Sequence, residues 1–221
     1  MRILAIDTAT NACSAALLTE DGVFECFEVA PRGHTRLLLP MIEDVLKQGQ
    51  TRRGDLTAIA FVAGPGSFTG IRIATSMAQG LSLGLDIPVI PLSSLLVLAC
   101  GARRKFRQSE IFPYIDARRE QVYWAHYSFE ADSDNDFSLA TEPRVIVADR
   151  LTKLDEMVGA ITPGALTYGS GEAEYMSGHC DGETGQYPRA SDALAIAATR
   201  LNAGKAAAPG DAQAIYFRRG L

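Results

Sequence analysis

Gly64-Pro65-Gly66-Ser67-Phe68-Thr69-Gly70-Ile71-Arg72 is a glycine-rich loop between two predicted elements. It follows an apolar run, Leu56 to Ala63, that predicts a strand, and it leads into Ile71 to Leu85, which predicts a helix. Glycines leave the backbone without side-chain cover, so another chain, helix or phosphate can come close. Free N–H groups at a helix N-terminus also form a natural anion site. The glycines concerned are Gly64, Gly66 and Gly70.

Two well-known glycine loops do not fit this sequence. A phosphate-binding P-loop needs a lysine and a serine or threonine after its last glycine, where this chain has Ile71-Arg72. A dinucleotide-binding loop needs a third glycine three residues after the second, where this chain has Thr69. The glycine spacing alone therefore favours a tight turn with close packing of helix on strand over a ligand site.

The composition indicates a folded protein that does not bind RNA on its own. Its 221 residues are 47% hydrophobic, which is enough for a sizeable core, and they carry a formal net charge of −5. We expect the basic cluster Arg103 to Arg107 to be a solvated loop between lobes. No run of about 18 apolar residues predicts a membrane span. Met1 to Ile6 runs directly into a strand, without the pattern of a signal peptide.

Neither a metal site nor a disulfide framework is predicted. The four cysteines lie apart in the sequence and form no C-x-x-C pair, which suits a reduced compartment such as the cytoplasm. The three histidines are equally dispersed, so no helix offers two imidazoles to a metal.

The chain repeats one pattern at an interval of about 110 residues. Ile3 to Asp7 predicts a strand that ends in an aspartate, followed by a polar turn and two more strands. Ile111 to Asp116 opens in the same way. The predicted order is β-β-β-α-β-α-β-α, followed by a shortened copy. We therefore expect an N-terminal lobe over residues 1–105 and a smaller lobe over residues 106–221, with the last helix packing back on the first lobe.

Two duplicated α/β lobes, each led by a strand ending in aspartate, predict the actin/hexokinase/Hsp70-like fold. In that superfamily the paired hairpin turns face each other across a cleft and hold nucleotide phosphates. Asp7, Thr8 and Asp116 would occupy those turns here. A Mg²⁺ ion held by one or two carboxylates and by phosphates is physically reasonable at that place. The other interpretation of Asp7 is that it caps its own turn, as short acidic side chains at strand ends do.

The glycine loop, written A-G-P-G-S-F-T-G-I-R, resembles the signature of the bacterial TsaB (YeaZ) family. The resemblance runs nearly end to end and is strongest before residue 125. It is carried by I-L-A-I-D-T-A-T near the start, the helix from His34, V-I-P-L-S-S-L from Val89, D-A-R-R-E-Q-V-Y from Asp116 and the tail Ala214 to Arg218. The tail departs from the family's P-x-Y-L-R ending, with Ala214 for the proline and Phe217 for the leucine.

The resemblance implies a non-catalytic scaffold subunit. TsaB proteins act with a catalytic paralogue of the same fold (TsaD-like) and an ATPase partner (TsaE-like) to make N6-threonylcarbamoyl adenosine 37 in tRNAs that read ANN codons. That paralogue binds metal through histidines on a helix of its first lobe. The corresponding positions here are Arg72, Thr75, Ser76 and Gln79, which offer no imidazole. On this interpretation tRNA is reached only through the complex.

The resemblance also implies a partner surface on two helices of the first lobe, His34 to Lys47 and Ile71 to Leu85. In the family these helices form a bundle with the same helices of the paralogue, or with a second copy of the chain as a homodimer. The second helix is rich in small residues, which let two helices approach closely. We expect the apolar centre of the interface to consist of Leu38, Met41, Ile73 and Met77. The alternative is that these side chains line the core of the lobe itself.

Two other functions stay open at the level of sequence. One is an independent ATPase or small-molecule kinase of the same fold, with Asp7 and Asp116 around Mg-ATP. No cofactor is required by the scaffold interpretation, which allows only weak ATP or ADP and Mg²⁺ in a vestigial cleft. The other is a glycoprotease-like hydrolase, for which no Ser/His/Asp spacing or metal pair exists. The acidic segment Glu130 to Asp136 is expected to be a flexible loop.

Overall fold

The computed structural model describes residues 1–130, 142–170 and 182–217. Parts of the tail and of the acidic segment, with Cys180, His179 and Gly171, lie outside the described residues. The strands are β1 (Ile3–Asp7), β2 (Ala12–Thr19), β3 (Gly22–Val29), β4 (Ala58–Gly64), β5 (Val89–Ser93), β6 (Glu110–Arg118), β7 (Gln121–Ser128), β8 (Arg144–Lys153), β9 (Leu166–Ser170) and β10 (Gly182–Glu183). The helices are α1 (His34–Gln48), α2 (Phe68–Leu85), α3 (Ser94–Phe106), α4 (Leu154–Ala160) and α5 (Ala190–Asn202), with 3₁₀ turns at Arg53–Asp55 and Pro209–Asp211.

The strands form two five-stranded sheets with the same topology. The first has the order β3-β2-β1-β4-β5 and the second the order β10-β9-β6-β7-β8. In each sheet the first three strands in the chain form an antiparallel meander. A later strand then pairs in parallel with the first strand of that meander, β4 with β1 and β9 with β6. The expected duplication of an α/β lobe is therefore confirmed in the sheets.

Strands β1 and β4 are buried on both faces, which explains their continuous apolar sequence. Alternate side chains point to opposite sides of a strand. Ile3 and Ala5 face one core cluster, whereas Leu4 and Ile6 face another. The cluster that contains Leu4 and Ile6, here called the outer cluster, is covered by α1 and α2. The cluster that contains Ile3 and Ala5, here called the inner cluster, includes side chains of α3 and α5.

The inner cluster is shared by both sheets. It joins Ile3 of β1 to Ile111 of β6 through apolar side chains of α3 and α5. Helix α3 contacts β4 and β5 on one side and β6, β7 and β9 on the other, while α5 contacts every strand of the first sheet. The layers therefore run from α1 and α2, through the first sheet, the α3–α5 pair and the second sheet, to α4. A domain boundary near residue 105 stays a prediction, because one core spans it.

A polar contact also joins the two sheets. Asp149 on β8 accepts hydrogen bonds from the hydroxyl of Tyr127, at 2.7 Å, and from the hydroxyl of Ser93. Ser93 ends β5 and also accepts the N–H groups of Leu95 and Leu96 as the N-cap of α3. Burial raises the pKa of Asp149, whereas the two hydroxyl donors act in the opposite direction. The half-buried carboxylate of Asp149 thus accepts hydrogen bonds from donors of both lobes.

We predict that Tyr127→Phe destabilises the protein by roughly 1–3 kcal/mol, because the half-buried carboxylate of Asp149 loses one of its two hydroxyl donors. The midpoint of urea unfolding at pH 7 measures the effect. Tyr123→Phe is the matched control, since Tyr123 lies on the same strand and its hydroxyl forms no hydrogen bond within the described residues. Equal midpoints for the two variants would contradict the prediction.

Candidate functional site

The glycine loop lies directly against the turn between β1 and β2. A Cβ atom added to Gly70 would be 1.9 Å from the carbonyl oxygen of Thr8, and one added to Gly66 would be 2.2 Å from that of Ala9. Neither distance is compatible with a side chain. Gly64 has φ of +114°, which L-residues rarely adopt. The three glycines are thus required by close backbone packing.

Hydrogen bonds fix the same contact. The N–H of Ser67 donates to the carbonyl of Ala9 at 2.7 Å, and the hydroxyl of Thr8 donates to the carbonyl of Gly70 at 2.6 Å. The Ser67 hydroxyl accepts the N–H of Gly70 at 3.3 Å as the N-cap of α2. The N–H groups of Ser67 and Gly70 thus have partners within the fold, and an anion site at this helix start stays a prediction.

Asp7 is fully buried beneath this contact. Its Oδ1 accepts the N–H of Ala9 at 2.8 Å, and its Oδ2 has no hydrogen-bond partner among the described residues. Burial raises the pKa of this carboxyl to about 7, more than its backbone hydrogen bonds lower it. A Mg²⁺ ion keeps several waters and needs open coordination positions, which a side chain with 0% exposure does not offer.

The geometry therefore does not fit a magnesium–nucleotide site built on Asp7 and Thr8. Thr8 is buried too, and its hydroxyl is used by Gly70. The interpretation of Asp7 as a residue that caps its own turn agrees with its bond to Ala9. Across residues 1–130, 142–170 and 182–217 no group of three His, Cys, Asp or Glu side chains is arranged to hold a metal ion. The prediction of weak ATP, ADP or Mg²⁺ binding stays a prediction.

Asp116, in contrast, faces a cleft of about 820 Å³ between the lobes. Its Oδ1 accepts the N–H of Arg118 at 2.7 Å and its Oδ2 lies 3.6 Å from the guanidinium of Arg118. The cleft also receives Gly66 from the glycine loop. The structure thus brings Asp116 and Gly66 to one cleft and leaves Asp7 and Thr8 outside its lining. The rest of its wall is mixed. It contains the aromatic side chains of Phe68, Tyr123, Tyr187, Tyr216 and Phe217 together with polar and charged ones, namely Thr10, Asn11, Ser67, Arg72, Arg118 and Ser170.

A second cavity, of about 640 Å³, is an open apolar groove between α1 and α2. Here it is called the helix groove. Ile73 and Met77 are half-buried and line it, together with the nearly covered Leu38. Its lining consists of Thr35, Leu38, Phe68, Thr69, Arg72, Ile73, Ser76, Met77, Gly80 and Leu81.

The residues predicted for the interface differ in exposure and position, and their role in an interface stays a prediction. Met41 is only 7% exposed, lies in the outer core of the first lobe and does not line the helix groove. Leu38 is 1% exposed and belongs to the same core, so it forms the floor of the groove. Phe68, which the sequence pattern places in the loop, is the first residue of α2, is 56% exposed and also lines the groove. Its signal in the sequence is an aromatic residue directly after a helix-capping serine.

The four helical positions without imidazoles all have other roles. The Thr75 hydroxyl donates to the carbonyl of Ile71 at 2.8 Å, and Gln79 Nε2 donates to the carbonyl of Ala212 at 2.8 Å. Ser76 is exposed in the helix groove, and Arg72 lies at its edge.

No helix of the described residues is both long and apolar enough to cross a membrane.

We predict that Gly70→Ala destabilises the protein by at least about 2 kcal/mol, because the new methyl group meets a main-chain carbonyl that cannot move alone. Chemical denaturation of both proteins measures the loss. Gly84→Ala in the same helix is the control, since its Cβ would meet no atom within 4 Å, and we expect a gain of up to about 1 kcal/mol. A similar loss in both variants would refute the steric explanation.

A pH dependence follows from Asp7. Burial raises the pKa of its carboxyl from an ordinary value of 3.8 to about 7, so the folded protein holds a proton that the unfolded chain releases between these values. The free energy of unfolding therefore falls as the pH rises from about 4 to 7, by up to about 1.4 kcal/mol per pH unit from this group. In Asp7→Asn this contribution is absent, whereas Asp44→Asn, at the surface of α1, controls for the loss of one charge. Parallel stability curves for wild type and Asp7→Asn over pH 5–8 would contradict the prediction.

Comparison with known proteins places these features in a family. Residues 26–173 match the family described as TsaD, tRNA N6-adenosine threonylcarbamoyltransferase. The chain is 38% identical to the Escherichia coli tRNA threonylcarbamoyladenosine biosynthesis protein TsaB, over 100% of this chain and 96% of that protein. The protein of the same name from Bacillus subtilis is 36% identical over 71% of this chain and 67% of its own length. The solved structure of YeaZ from Pseudomonas aeruginosa superimposes with a TM-score of 0.85 at 30% identity, covering 97% of this chain and 99% of that one.

Proposed function

The chain belongs to the TsaB family, and on that premise we propose that it is an accessory subunit in the biosynthesis of threonylcarbamoyladenosine in tRNA. The fold class expected from the sequence, an actin/hexokinase/Hsp70-like α/β fold, is confirmed by the family match and by the structural neighbour. The proposed role places the chain in the cytoplasm, where it acts on tRNA only within a complex that contains an ATPase partner.

One observation carries the proposal, which is the helix groove. Phe68, Ile73 and Met77 present apolar surface there that α1 and α2 do not cover. Ser76 and Gly80 are small and exposed in the same groove, so a helix of another molecule can come close to the α2 backbone. An exposed apolar groove of this kind is typical of a protein-binding surface.

The partner that best fits the groove is a protein with the same pair of helices. Residues 26–173, which match the threonylcarbamoyltransferase family, include α1 and α2. A catalytic paralogue of that family would present two equivalent helices, and four helices would then bury the apolar centre. Burial of each large side chain contributes roughly 1.5–3 kcal/mol before the cost of association.

A supporting rather than catalytic role agrees with the geometry of the other candidate site. Asp7 and Thr8 are used within the fold, and Asp116 is paired with Arg118. The alternative, an independent ATPase or small-molecule kinase around Mg-ATP, has no observation in its favour beyond the presence of the cleft.

We predict that Ser76→Glu weakens binding to the catalytic paralogue at least tenfold, because it places a charge in the apolar groove without disturbing the core. Isothermal titration calorimetry of the two purified proteins measures the Kd, and circular dichroism checks the fold. Formation of threonylcarbamoyladenosine on a tRNA transcript by the reconstituted complex should fall in parallel.

Val145→Glu is the matched control, because it adds the same charge at an exposed apolar position on β8, in the other lobe. The proposal fails if Ser76→Glu binds the paralogue as the wild type does, or if the isolated chain modifies tRNA at the full rate. Sedimentation velocity of the chain alone shows whether the same groove also forms a homodimer.

A further inference from the structure

The C-terminal segment 207–217, here called the strap, is fixed across the first lobe. It begins beside the edge strand β5, where Ala207 and Val89 exchange backbone hydrogen bonds of 2.9 and 2.8 Å. It then crosses α2, where the carbonyl of buried Ala212 accepts the Gln79 side chain. The N–H of Ile215 donates to the carbonyl of Ala63 at 2.7 Å, beside the glycine loop. These contacts determine where the next residue, Tyr216, is placed.

Tyr216 completes an exposed stack with two residues of α2. Its ring centre lies 5.6 Å from that of Phe68, and its hydroxyl accepts a hydrogen bond from Arg72 Nε at 3.3 Å. The guanidinium of Arg72 lies over the Phe68 ring at 3.7 Å. Phe68 is 56% exposed and Tyr216 47% exposed, although both are aromatic. The two rings therefore hold Arg72 in one orientation at the surface.

Several arginines pair with a carboxylate, whereas Arg72, like Arg150, has no acidic partner within the described residues. Arg52, Arg104, Arg189 and Arg200 each pair with a carboxylate. Within the described residues no carboxylate lies within salt-bridge distance of Arg72, whose partners are Phe68 and Tyr216. A guanidinium that aromatic rings already hold in place loses little further conformational entropy when it binds a ligand. It can bind a carboxylate through two parallel hydrogen bonds.

The position of the stack connects it with the helix groove. Phe68 and Arg72 line both the groove and the interlobe cleft, so the stack forms the ridge between the two cavities. A protein that fills the groove would reach this ridge without leaving the surface of α2. Arginine, tyrosine and other aromatic residues are also enriched among the residues that dominate binding energy at protein interfaces.

We propose that the Phe68–Arg72–Tyr216 stack is a contact point for the protein that binds the helix groove, and that Arg72 there binds an acidic side chain of this partner. The inference rests on the proposed function and extends its interface to the strap. Charge and lining favour a protein over RNA as the occupant. The adjoining groove is mainly apolar, and the chain as a whole carries a net charge of −5.

The test compares Arg72→Ala with Arg150→Ala in binding to the catalytic paralogue by calorimetry. Arg150 is a matched control, because it is exposed and lies 5.5 Å from the ring of Trp124 in the other lobe. We expect Arg72→Ala to raise the Kd at least tenfold and to reduce the salt dependence of binding, while Arg150→Ala stays within twofold. Arg72→Lys keeps the charge but loses the planar fork, and it should give an intermediate Kd.

The outcomes separate this inference from the proposed function. If Ser76→Glu weakens binding and Arg72→Ala does not, the stack is no contact point, whereas the accessory role stands. If the wild-type chain does not bind the paralogue, both are overturned. If Arg72→Ala leaves the complex intact but lowers its affinity for tRNA, the residue binds RNA phosphate and the inference is wrong.

Discussion

The contact between the glycine loop and the β1–β2 turn is the constraint on which the rest of the structure depends. Main-chain carbonyls of Thr8 and Ala9 occupy the space that side chains at residues 70 and 66 would need. This contact sets where α2 begins and how closely it approaches the first sheet. Both the helix groove and the ridge beside it follow from that placement, because Phe68 and Arg72 belong to the first turns of α2.

The same contact explains why a loop that looks suited to anions serves a structural purpose here. Backbone N–H groups at a helix start bind phosphate when they point into open space. In this chain the N–H of Ser67 donates to the carbonyl of Ala9, and the carbonyl of Gly70 accepts the hydroxyl of Thr8. The Ser67 N–H and the Thr8 hydroxyl are thereby used in packing within the lobe.

Much of the fold could be predicted from sequence, because its signals are local. The glycines, the apolar runs and the strand-ending aspartates each depend on a few neighbouring residues. The interface residues could not be separated in this way. An amphipathic helix shows one apolar stripe, and Met41 and Met77 look alike in it, although the first lies in the core and the second lines the groove. The role of Tyr216 depends on a contact 144 residues away in the chain, with Arg72, which no local pattern reports.

The core shared by the two sheets limits how the molecule can change shape. Hinge closure between domains needs a boundary that few contacts cross. Here α3 contacts strands of both sheets, and α5 packs on α3 and on the first sheet. Widening the interlobe cleft would therefore expose apolar side chains such as Leu95 and Leu194 to water. Opening of the cleft is consequently opposed by the loss of this apolar burial. For the same reason, a cut near residue 105 would leave an uncovered apolar face on each part of the chain.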